Sequence, residues 1–225
     1  MALSPFSLVH DWYLKWQKRA VRQKPRYLSY STKQKHVIES IAAIGVIGGE
    51  QLFRFYNVTR KERRKMTREG KLIRHVIKQN DKNIPIFTLG PTGADVLNLA
   101  NYEPSYWVKY DIHDVLKRLL FFELFYKFPK ANIMPAPSPF IGGIKFRNNL
   151  FYVYVVRGDI QDLLLHLKWQ ASNERLIIVT ESLNHLQPIN VYAKDLKARV
   201  TTDDDLLGDF NDMFYKWNQG WKREY

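Results

Sequence analysis

The sequence predicts a mixed protein of α+β class, made of a basic, mainly helical N-terminal part and a small α/β C-terminal part. Charge is the first observation, because residues 1–91 carry 19 Lys and Arg against six Asp and Glu. Residues 92–225 carry 16 of each kind. Such segregation predicts a basic module with a polyanionic partner, joined to a module of ordinary charge.

Changes in hydrophobic periodicity along the chain set the domain borders. Residues 32–100 are predicted to be mainly helical, with one β-hairpin. From residue 110 onward, predicted helices and strands are interspersed. We therefore predict a basic N-terminal arm or helix at 1–31, a first domain at 32–100 and a second at 110–225. Polar and turn-forming residues at 101–109 predict a connector.

Composition excludes several classes of protein. The chain of 225 residues is 45% hydrophobic, which is enough for folded cores, and it contains no cysteine, which excludes disulfides, thiolate metal sites and a cysteine nucleophile. The most apolar stretch, Leu119 to Tyr126, is interrupted by Glu123 and is too short to span a membrane. The N-terminus has no basic residue ahead of an apolar run, so we expect no signal peptide and a cytoplasmic protein.

Helix signals are clearest between residues 31 and 70. Ser31 or Thr32 can cap a helix that continues to Ile44, and a short second helix is predicted at Glu50 to Tyr56, burying Leu52 and Phe53 with Tyr56 as a further candidate. Thr59 caps a third helix. Glu62 completes its capping box, and Gly70 ends it.

A hairpin and a fourth helix complete the first domain. Strands are predicted at Leu72 to Lys78 and at Ile84 to Leu89, with a polar turn between them and Pro85 marking an edge or a bulge. Thr92 begins the fourth helix. Helix, helix, turn, helix and hairpin is the order of a winged helix-turn-helix, in which the hairpin is the wing.

The third helix carries the candidate DNA-binding residues. A major groove accepts one helix, arginine can bond guanine O6 and N7 together, and lysine neutralises phosphates. The spacing places Glu62, Met66 and Glu69 inward or toward the flank and the basic residues on the opposite face. The predicted contacts on the helix and the wing are Arg60, Lys61, Arg63, Arg64, Lys65, Arg68, Lys71, Arg74, Lys78 and Lys82.

The N-terminal 31 residues are predicted to begin with an amphipathic helix. Val9, Trp12, Tyr13, Trp16 and Ala20 recur at helical spacing, and Pro25 prevents the helix from continuing. Basic residues fill the other face. The segment is therefore an arm along a phosphate backbone, a helix that pairs two subunits, or a helix packed on its own domain.

The second domain is predicted from a sequence of apolar segments. They are an apolar helix at Tyr110 to Phe128, a proline-rich loop at Pro129 to Pro139, strands at Ile141 to Arg147 and Leu150 to Val156, a helix at Ile160 to Gln170, a strand at Arg175 to Thr180, a possible strand at Ile189 to Ala193, and a last helix at Leu206 to Trp217 capped by Asp203 to Asp205. This order describes a small α/β domain.

The block Ile86-Phe-Thr-Leu-Gly-Pro-Thr-Gly-Ala-Asp-Val-Leu97 resembles the wing and following helix of the replication-relaxation proteins, which occur on plasmids and integrative elements. The order of elements in the second domain is also similar. The resemblance covers roughly residues 32 to 200. It implies a winged helix followed by a domain like the restriction-endonuclease core, and DNA binding in the replication, transfer or regulation of a mobile element.

The sequence departs from that family where a nuclease needs its metal ligands. A restriction-type core places an Asp on one strand and an acid-x-Lys triplet on the next, because carboxylates hold magnesium. Residues 141–147 contain no acid, and residues 150–156 contain neither acid nor lysine. The six histidines are not spaced as close metal ligands would be. The acidic run that begins at Asp203 is predicted to cap a helix. We therefore expect a degenerate core, no metal, no cofactor and no enzymatic activity.

The leading hypothesis is a homodimeric double-stranded DNA-binding protein that acts as a transcriptional regulator or as a replication or transfer factor. It would be associated with the nucleoid or a plasmid and would recruit a replication, transfer or transcription protein. One alternative is a metal-dependent DNA endonuclease that uses Asp159 or Asp162, which follow the second strand. Another is a protein adaptor in which DNA contact is secondary.

Overall fold

A computed structural model gives the fold and describes residues 3–17, 29–169, 174–208 and 212–224. The chain divides into two compact units. We call Val9–Leu119 the N-terminal unit, and Met1–Leu8 together with Leu120–Tyr225 the C-terminal unit. Each unit contains helices and a sheet, which confirms the mixed α and β class. The border falls within one helix rather than in the predicted connector.

The N-terminal unit contains both helices and strands. In chain order its elements are β1 (Trp12–Lys15), α1 (Thr32–Ile44), β2 (Val46–Gly48), α2 (Gly49–Tyr56), α3 (Arg60–Arg68), β3 (Leu72–Gln79), β4 (Lys82–Leu89) and α4 (Pro91–Val96), followed by a 3₁₀ helix at Tyr106–Lys109. The strands form an antiparallel sheet in the order β1-β3-β4-β2.

The hairpin β3-β4 turns through Asn80 and Asp81, since Gln79 pairs with Lys82. Asn80 has a φ of 50°, a left-handed conformation that asparagine tolerates better than most residues. Strand β2 pairs with β4 only as far as Ile86, so Pro85 has no backbone partner on that side. This placement agrees with the edge position expected for a strand proline.

The N-terminal segment is a strand where the sequence predicts a helix. Trp12–Lys15 pairs with β3, with Trp12 opposite Gln79 and Lys15 opposite Val76. Trp12, Leu14 and Trp16 recur every second residue and are half-buried, whereas Tyr13 and Lys15 between them are exposed, which is the alternation of a strand. Pairing with the edge of β3 favours this strand over the helix. The predicted helix residue Ala20 and the basic residues between 18 and 28 lie outside the described residues.

Helix α1 supplies much of the core of the N-terminal unit. Ser31 caps it as predicted, accepting a hydrogen bond from Gln34 N at 3.2 Å, and Val37, Ile38 and Ile41 are fully buried. Helix α2 buries Leu52, whereas Phe53, which was predicted to be buried, is 47% exposed. Its exposure follows from position, because Phe53 lies on the side of α2 away from this core.

A buried histidine lies between β1, β3 and β4. His75 Nδ1 accepts a hydrogen bond from Gln17 N at 3.0 Å, so Nε2 carries the proton and donates to Thr88 Oγ1 at 2.8 Å. The rings of Trp16 and Trp107 lie 4.9 and 5.1 Å from the imidazole. Burial lowers the pKa of His75 from 6.5 to about 4. Trp107 lies in the predicted connector, which is therefore part of this core.

The C-terminal unit is organised around one mixed sheet. In chain order its elements are α5 (Ile112–Tyr126, which crosses the border between the units), β5 (Asn132–Met134), β6 (Gly142–Phe146), β7 (Asn149–Val155), α6 (Gln161–Trp169), β8 (Arg175–Thr180), a 3₁₀ helix at Leu183–Ile189, β9 (Lys197–Thr202), a 3₁₀ helix at Asp205–Leu207, β10 (Tyr215–Trp217) and β11 (Trp221–Arg223).

The order of the strands in this sheet is β11-β10-β9-β8-β7-β6-β5. Strands β7, β8 and β9 are parallel to one another, and the other neighbouring pairs are antiparallel. Leu163 and Leu167 of α6 belong to the same buried cluster as Ile178 of β8 and Val200 of β9. Because β7, β8 and β9 are parallel, they begin together at one edge of the sheet and end together at the opposite edge.

Three predicted elements of this unit are corrected. Residues 189–193, predicted as a possible strand, end a 3₁₀ helix and form a turn, and the strand lies instead at Lys197–Thr202. Of the predicted last helix at 206–217, residues 209–211 lie outside the described residues, and the described part contains the end of a 3₁₀ turn and strand β10. Strand β5 lies inside the predicted proline-rich loop. Short strands are defined by their neighbours in the sheet, and a local pattern carries little of that information.

A buried ion pair joins the first residues to the carboxyl ends of β7 and β9. Arg157 Nη2 donates to Asp203 Oδ2, and Ser4 Oγ donates to the same oxygen. Arg157 Nε also donates to the backbone oxygen of Phe6 at 3.2 Å. The side chains of Arg157 and Asp203 are 0% and 2% exposed. Asp203 is therefore a buried ion-pair partner rather than the helix cap that the sequence predicts.

Among the residues that the structure describes, no helix has the length and apolar character needed to cross a membrane.

Candidate nucleic-acid interface

Local signals determine where helix α3 begins and ends. Thr59 Oγ1 accepts a hydrogen bond from Glu62 N at 3.3 Å, and Glu62 Oε2 accepts one from Thr59 N at 2.8 Å. This capping box is the predicted one. Gly70, with a φ of 71°, follows the helix in the left-handed conformation. The buried Met66 faces the core and so determines which side of α3 is exposed.

The exposed side of α3 is strongly basic. Two glutamates lie at its flanks, Glu62 within α3 and Glu69 directly after it: Glu62 Oε1 lies 2.6 Å from Lys33 Nζ, and Glu69 Oε2 lies 2.8 Å from Lys71 Nζ. Lys33 and the backbone of Thr59 lower the pKa of Glu62 to about 2. Five predicted contact residues of this helix are exposed, namely Arg60, Lys61, Arg64, Lys65 and Arg68.

An open cleft of about 640 Å³ lies between α3 and the hairpin β3-β4. Its lining includes five arginines, Arg60, Arg63, Arg64, Arg68 and Arg74. Pro85 and Phe87 of β4 form the apolar part of the lining, and Arg74 of β3 lies opposite Phe87 in the register. Arginines from two elements therefore meet over an apolar floor. We use the name α3 surface for the exposed basic residues of α3 together with the residues that line this cleft.

Arg63 holds the inner wall of the cleft. It is half-buried, and its Nη1 donates a hydrogen bond to the backbone oxygen of Gly49 at the start of α2. Burial, with a smaller effect from the charge of Arg60, lowers the pKa of Arg63 from its ordinary value. A Cβ at position 49 would lie 3.0 Å from Arg63 Nη1, so glycine allows this approach. Arg63 thus positions α2 against α3 and faces the cleft as well.

Two lysines lie near the end of the hairpin. Lys78 and Lys82 are both exposed, and Lys78 pairs in register with Asn83. Lys78 Nζ is 4.0 Å from the exposed Asp81, a distance at which a surface ion pair is weak. Both lysines therefore remain exposed beside the turn of the hairpin.

Lys71 differs from the other predicted contacts, because it is only 3% exposed. Its ammonium donates to Ser29 O at 2.6 Å and to Gln34 Oε1 at 3.1 Å, and it pairs with Glu69. These bonds hold the segment before α1 against the end of α3. Lys71 is therefore a structural residue and is left out of the α3 surface.

Sequence reasoning missed the apolar floor of the cleft. Pro85 was treated only as a strand marker, and Phe87 only as part of a strand. The alternation of β4 places Pro85 and Phe87 on one face, and the pairing of β3 and β4 brings Arg74 beside Phe87. A register assigned to the predicted hairpin would have revealed this pairing.

The described residues of the C-terminal unit form no acidic cluster where a nuclease would need one. Strands β6 and β7 carry no carboxylate. Asp159 Oδ1 accepts a hydrogen bond from Gln161 N at 2.8 Å, and Asp162 Oδ1 accepts one from Tyr154 Oη at 2.6 Å, so both act at the start of α6. Across the described ranges, no group of three His, Asp or Glu side chains could hold a metal ion.

Comparisons with protein-family models, with curated proteins and with solved structures found no match to this chain. The geometry and the charge of the α3 surface therefore carry the functional conclusion.

Proposed function

We propose that the N-terminal unit is a winged helix-turn-helix domain that binds double-stranded DNA. In this proposal α2 and α3 are the helix pair, and β3-β4 is the wing. An α-helix with its side chains is about 10–12 Å across, which fits a major groove about 12 Å wide, and the nine residues of α3 extend over roughly 13 Å. The observation that carries the proposal is the α3 surface, whose cations face outward while its acids are held at the flanks.

The residues of the α3 surface and the two lysines of the hairpin then have separate roles. Arg60, Arg64 and Arg68 recur every four residues along one side of α3, so they can follow the edges of successive base pairs. Lys61 and Lys65 neutralise phosphates. Lys78 and Lys82 reach the adjacent backbone or minor groove, and Arg74 joins the cleft to the wing.

The C-terminal unit is proposed to assemble the protein rather than to catalyse a reaction. Apart from the added strand β5, the order α5, β6, β7, α6, β8 resembles that of a restriction-endonuclease core, and β6 and β7 lack the acids that such a core uses. A homodimer would double the DNA contacts of a domain that reads few base pairs. The resemblance to replication-relaxation proteins makes a regulator, or a replication or transfer factor, of a mobile element the favoured role.

The test compares the wild type with the variant Arg60→Ala/Arg64→Ala/Arg68→Ala in binding to a pool of duplex DNA. One bidentate arginine contact contributes about 1–3 kcal/mol, so losing three should weaken binding by at least about 100-fold. The matched control, Lys109→Ala/Lys145→Ala/Lys168→Ala, removes three exposed charges elsewhere and should bind as the wild type does. Equal losses in both variants would mean that only total charge matters, and no loss in either would overturn the proposal.

Salt and magnesium complete the design. With about six phosphate contacts, wild-type affinity should fall roughly a thousandfold between 50 and 200 mM salt. The DNA should remain intact in magnesium. Cleavage that is lost in Asp159→Ala or Asp162→Ala would instead establish the endonuclease.

A further inference from the structure

A second basic surface lies in the C-terminal unit, at the edge of the sheet where the parallel strands begin. Three residues lie side by side on adjacent strands of this edge, namely Phe151 of β7, Arg175 of β8 and Lys197 of β9. Arg199 follows two residues later on the same face of β9. The first residues of β8 and β9 thus bring basic side chains from separate parts of the chain together beside Phe151.

These residues line an open cleft of about 400 Å³. The basic members of its lining are Arg175, Lys194, Lys197, Arg199 and Lys216. Arg199 keeps 39% of its side chain exposed, and the other four are exposed residues. The positive charge is therefore accessible to a ligand from solvent. We call this surface the β-edge cleft.

One carboxylate opposes part of this charge. Glu224 receives hydrogen bonds from Arg199 Nε at 2.7 Å and Arg199 Nη2 at 3.0 Å, and it also pairs with Lys216. Arg199 and Lys216 lower the pKa of Glu224 to about 2, so it stays ionised. Glu224 orients these two cations in the wall, and the cleft keeps an excess of positive charge.

An aromatic ring stands beside the cations. Trp217 of β10 lines the cleft and is half-buried, and its ring contacts that of Trp221 edge to face, with centroids 5.3 Å apart. This contact holds the indole in place while part of it stays accessible. Bases stack on such rings, and phosphates bind such cations, so the pair of features suits an unpaired nucleotide.

We propose that the β-edge cleft binds single-stranded nucleic acid, with phosphates on Arg175, Lys194 and Lys197 and a base against Trp217. A duplex keeps its base faces stacked inside, so an aromatic wall offers it nothing that cations alone do not. An acidic peptide would use the cations and leave the indole without a stacking partner. The proposal uses none of the residues of the α3 surface, and it holds or fails independently of duplex binding.

This basic cleft could not be recognised from the sequence, because the net charge of residues 92–225 is zero. Its members come from β8, from the turn before β9, and from β9 and β10. Among the acids of this segment, Glu224 pairs with Arg199 and Lys216, and Asp203 is buried against Arg157. Only the strand pairing brings the cations to one edge.

The experiment measures binding of the full chain to fluorescent dT20, which cannot form a duplex with itself. The cleft variant Arg175→Ala/Lys194→Ala/Lys197→Ala should bind dT20 at least about tenfold more weakly, with a flatter salt dependence, because each lost phosphate contact lowers the single-strand salt slope by about 0.7. The variant Arg60→Ala/Arg64→Ala/Arg68→Ala removes the same charge and should leave dT20 binding unchanged. Duplex binding should show the opposite pattern.

The aromatic part of the proposal has its own variants. Trp217→Leu should weaken dT20 binding roughly tenfold, and Trp217→Phe, which keeps a ring, should retain most of it. Thermal melting of each variant shows whether it is folded. An unfolded Trp217→Leu would leave the charge variants to decide.

Several results would overturn the proposal. They are absence of dT20 binding by the wild type, equal dT20 binding by the cleft variant and the wild type, or equal loss in both triple variants. Labelled thymidine monophosphate that binds as tightly as dT20 would make the cleft a nucleotide site instead. Displacement of dT20 by polyglutamate, with Trp217→Leu having no effect, would assign the cleft to an acidic protein.

Discussion

The two units distribute their charged groups differently. In the N-terminal unit the predicted contacts other than Lys71 and the half-buried Arg63 remain exposed, and the buried His75 is kept neutral. In the C-terminal unit Arg157 and Asp203 are buried together, and Glu224 engages Arg199 and Lys216. The charge that a surface offers to a partner is what remains after such pairing. The net charge of a segment is therefore a poor guide to its binding surfaces.

The largest expected effect is that of breaking the buried ion pair of the C-terminal unit. Asp203→Ala leaves Arg157 charged and without its carboxylate, and the expected loss of unfolding free energy is about 3–5 kcal/mol. Asp81→Ala removes an exposed acid from the N-terminal unit and should cost less than about 0.5 kcal/mol. Urea unfolding measures both. Similar losses for the two variants would erase the contrast between the units.

A second comparison concerns two methionines. Met66 is 0% exposed beneath the α3 surface, and Met134 of β5 is 37% exposed. Met66→Ala creates a cavity and should destabilise the protein by about 2–5 kcal/mol, whereas Met134→Ala should cost less than about 1 kcal/mol. Thermal and urea unfolding test this difference. A small effect of Met66→Ala would contradict its role in orienting α3.

The neutral His75 predicts that the N-terminal unit loses stability in mild acid. The folded-state pKa of about 4 lies below the ordinary 6.5, so the full contribution is present above pH 6.5. It is lost as pH falls from 6.5 toward 4, because the unfolded chain then binds a proton that the folded ring resists. The loss is at most about 3 kcal/mol.

Urea unfolding between pH 7 and pH 4 isolates this effect when the wild type is compared with His75→Gln. The variant should show a flatter pH dependence, and His185→Gln, which changes an exposed histidine, should behave as the wild type does. Parallel curves for His75→Gln and the wild type would mean that other groups cause the loss.

The smallest predicted effect concerns the cap of α3. Thr59→Ala removes the hydroxyl that accepts from Glu62 N and should cost about 1 kcal/mol. Thr59→Ser keeps the cap and should cost much less. Because the pKa of Glu62 is about 2, its contribution to the capping box is present above pH 4.5 and fades below it. A loss in Thr59→Ala that equals the loss in Thr59→Ser would argue against the cap.

Elements with local signals could be predicted from the sequence. The caps at Ser31 and Thr59 and the left-handed Gly70 depend on residues within one helical turn, so the borders of α1 and α3 follow from short patterns. The exposed face of α3 follows in the same way from helical spacing.

Elements that depend on distant partners could not be predicted. Strand β1 exists because β3 offers it an edge, and β9 to β11 exist as parts of one sheet. Lys71 lies in the same basic stretch of sequence as its exposed neighbours. Its burial depends on the packing of Ser29 and Gln34 around its ammonium. The β-edge cleft likewise depends on strand register. Tertiary pairing overrides local pattern in each case.

Guanine N7 methylation tests the central claim, that α3 reads the major groove. After the bound duplexes have been identified, methylation of N7 blocks the atom to which a major-groove arginine bonds, while the phosphates stay free. We predict that methylation at specific guanines prevents wild-type binding and that the residual binding of Arg60→Ala/Arg64→Ala/Arg68→Ala is insensitive to it. Wild-type binding that is indifferent to N7 methylation at every guanine would contradict the account.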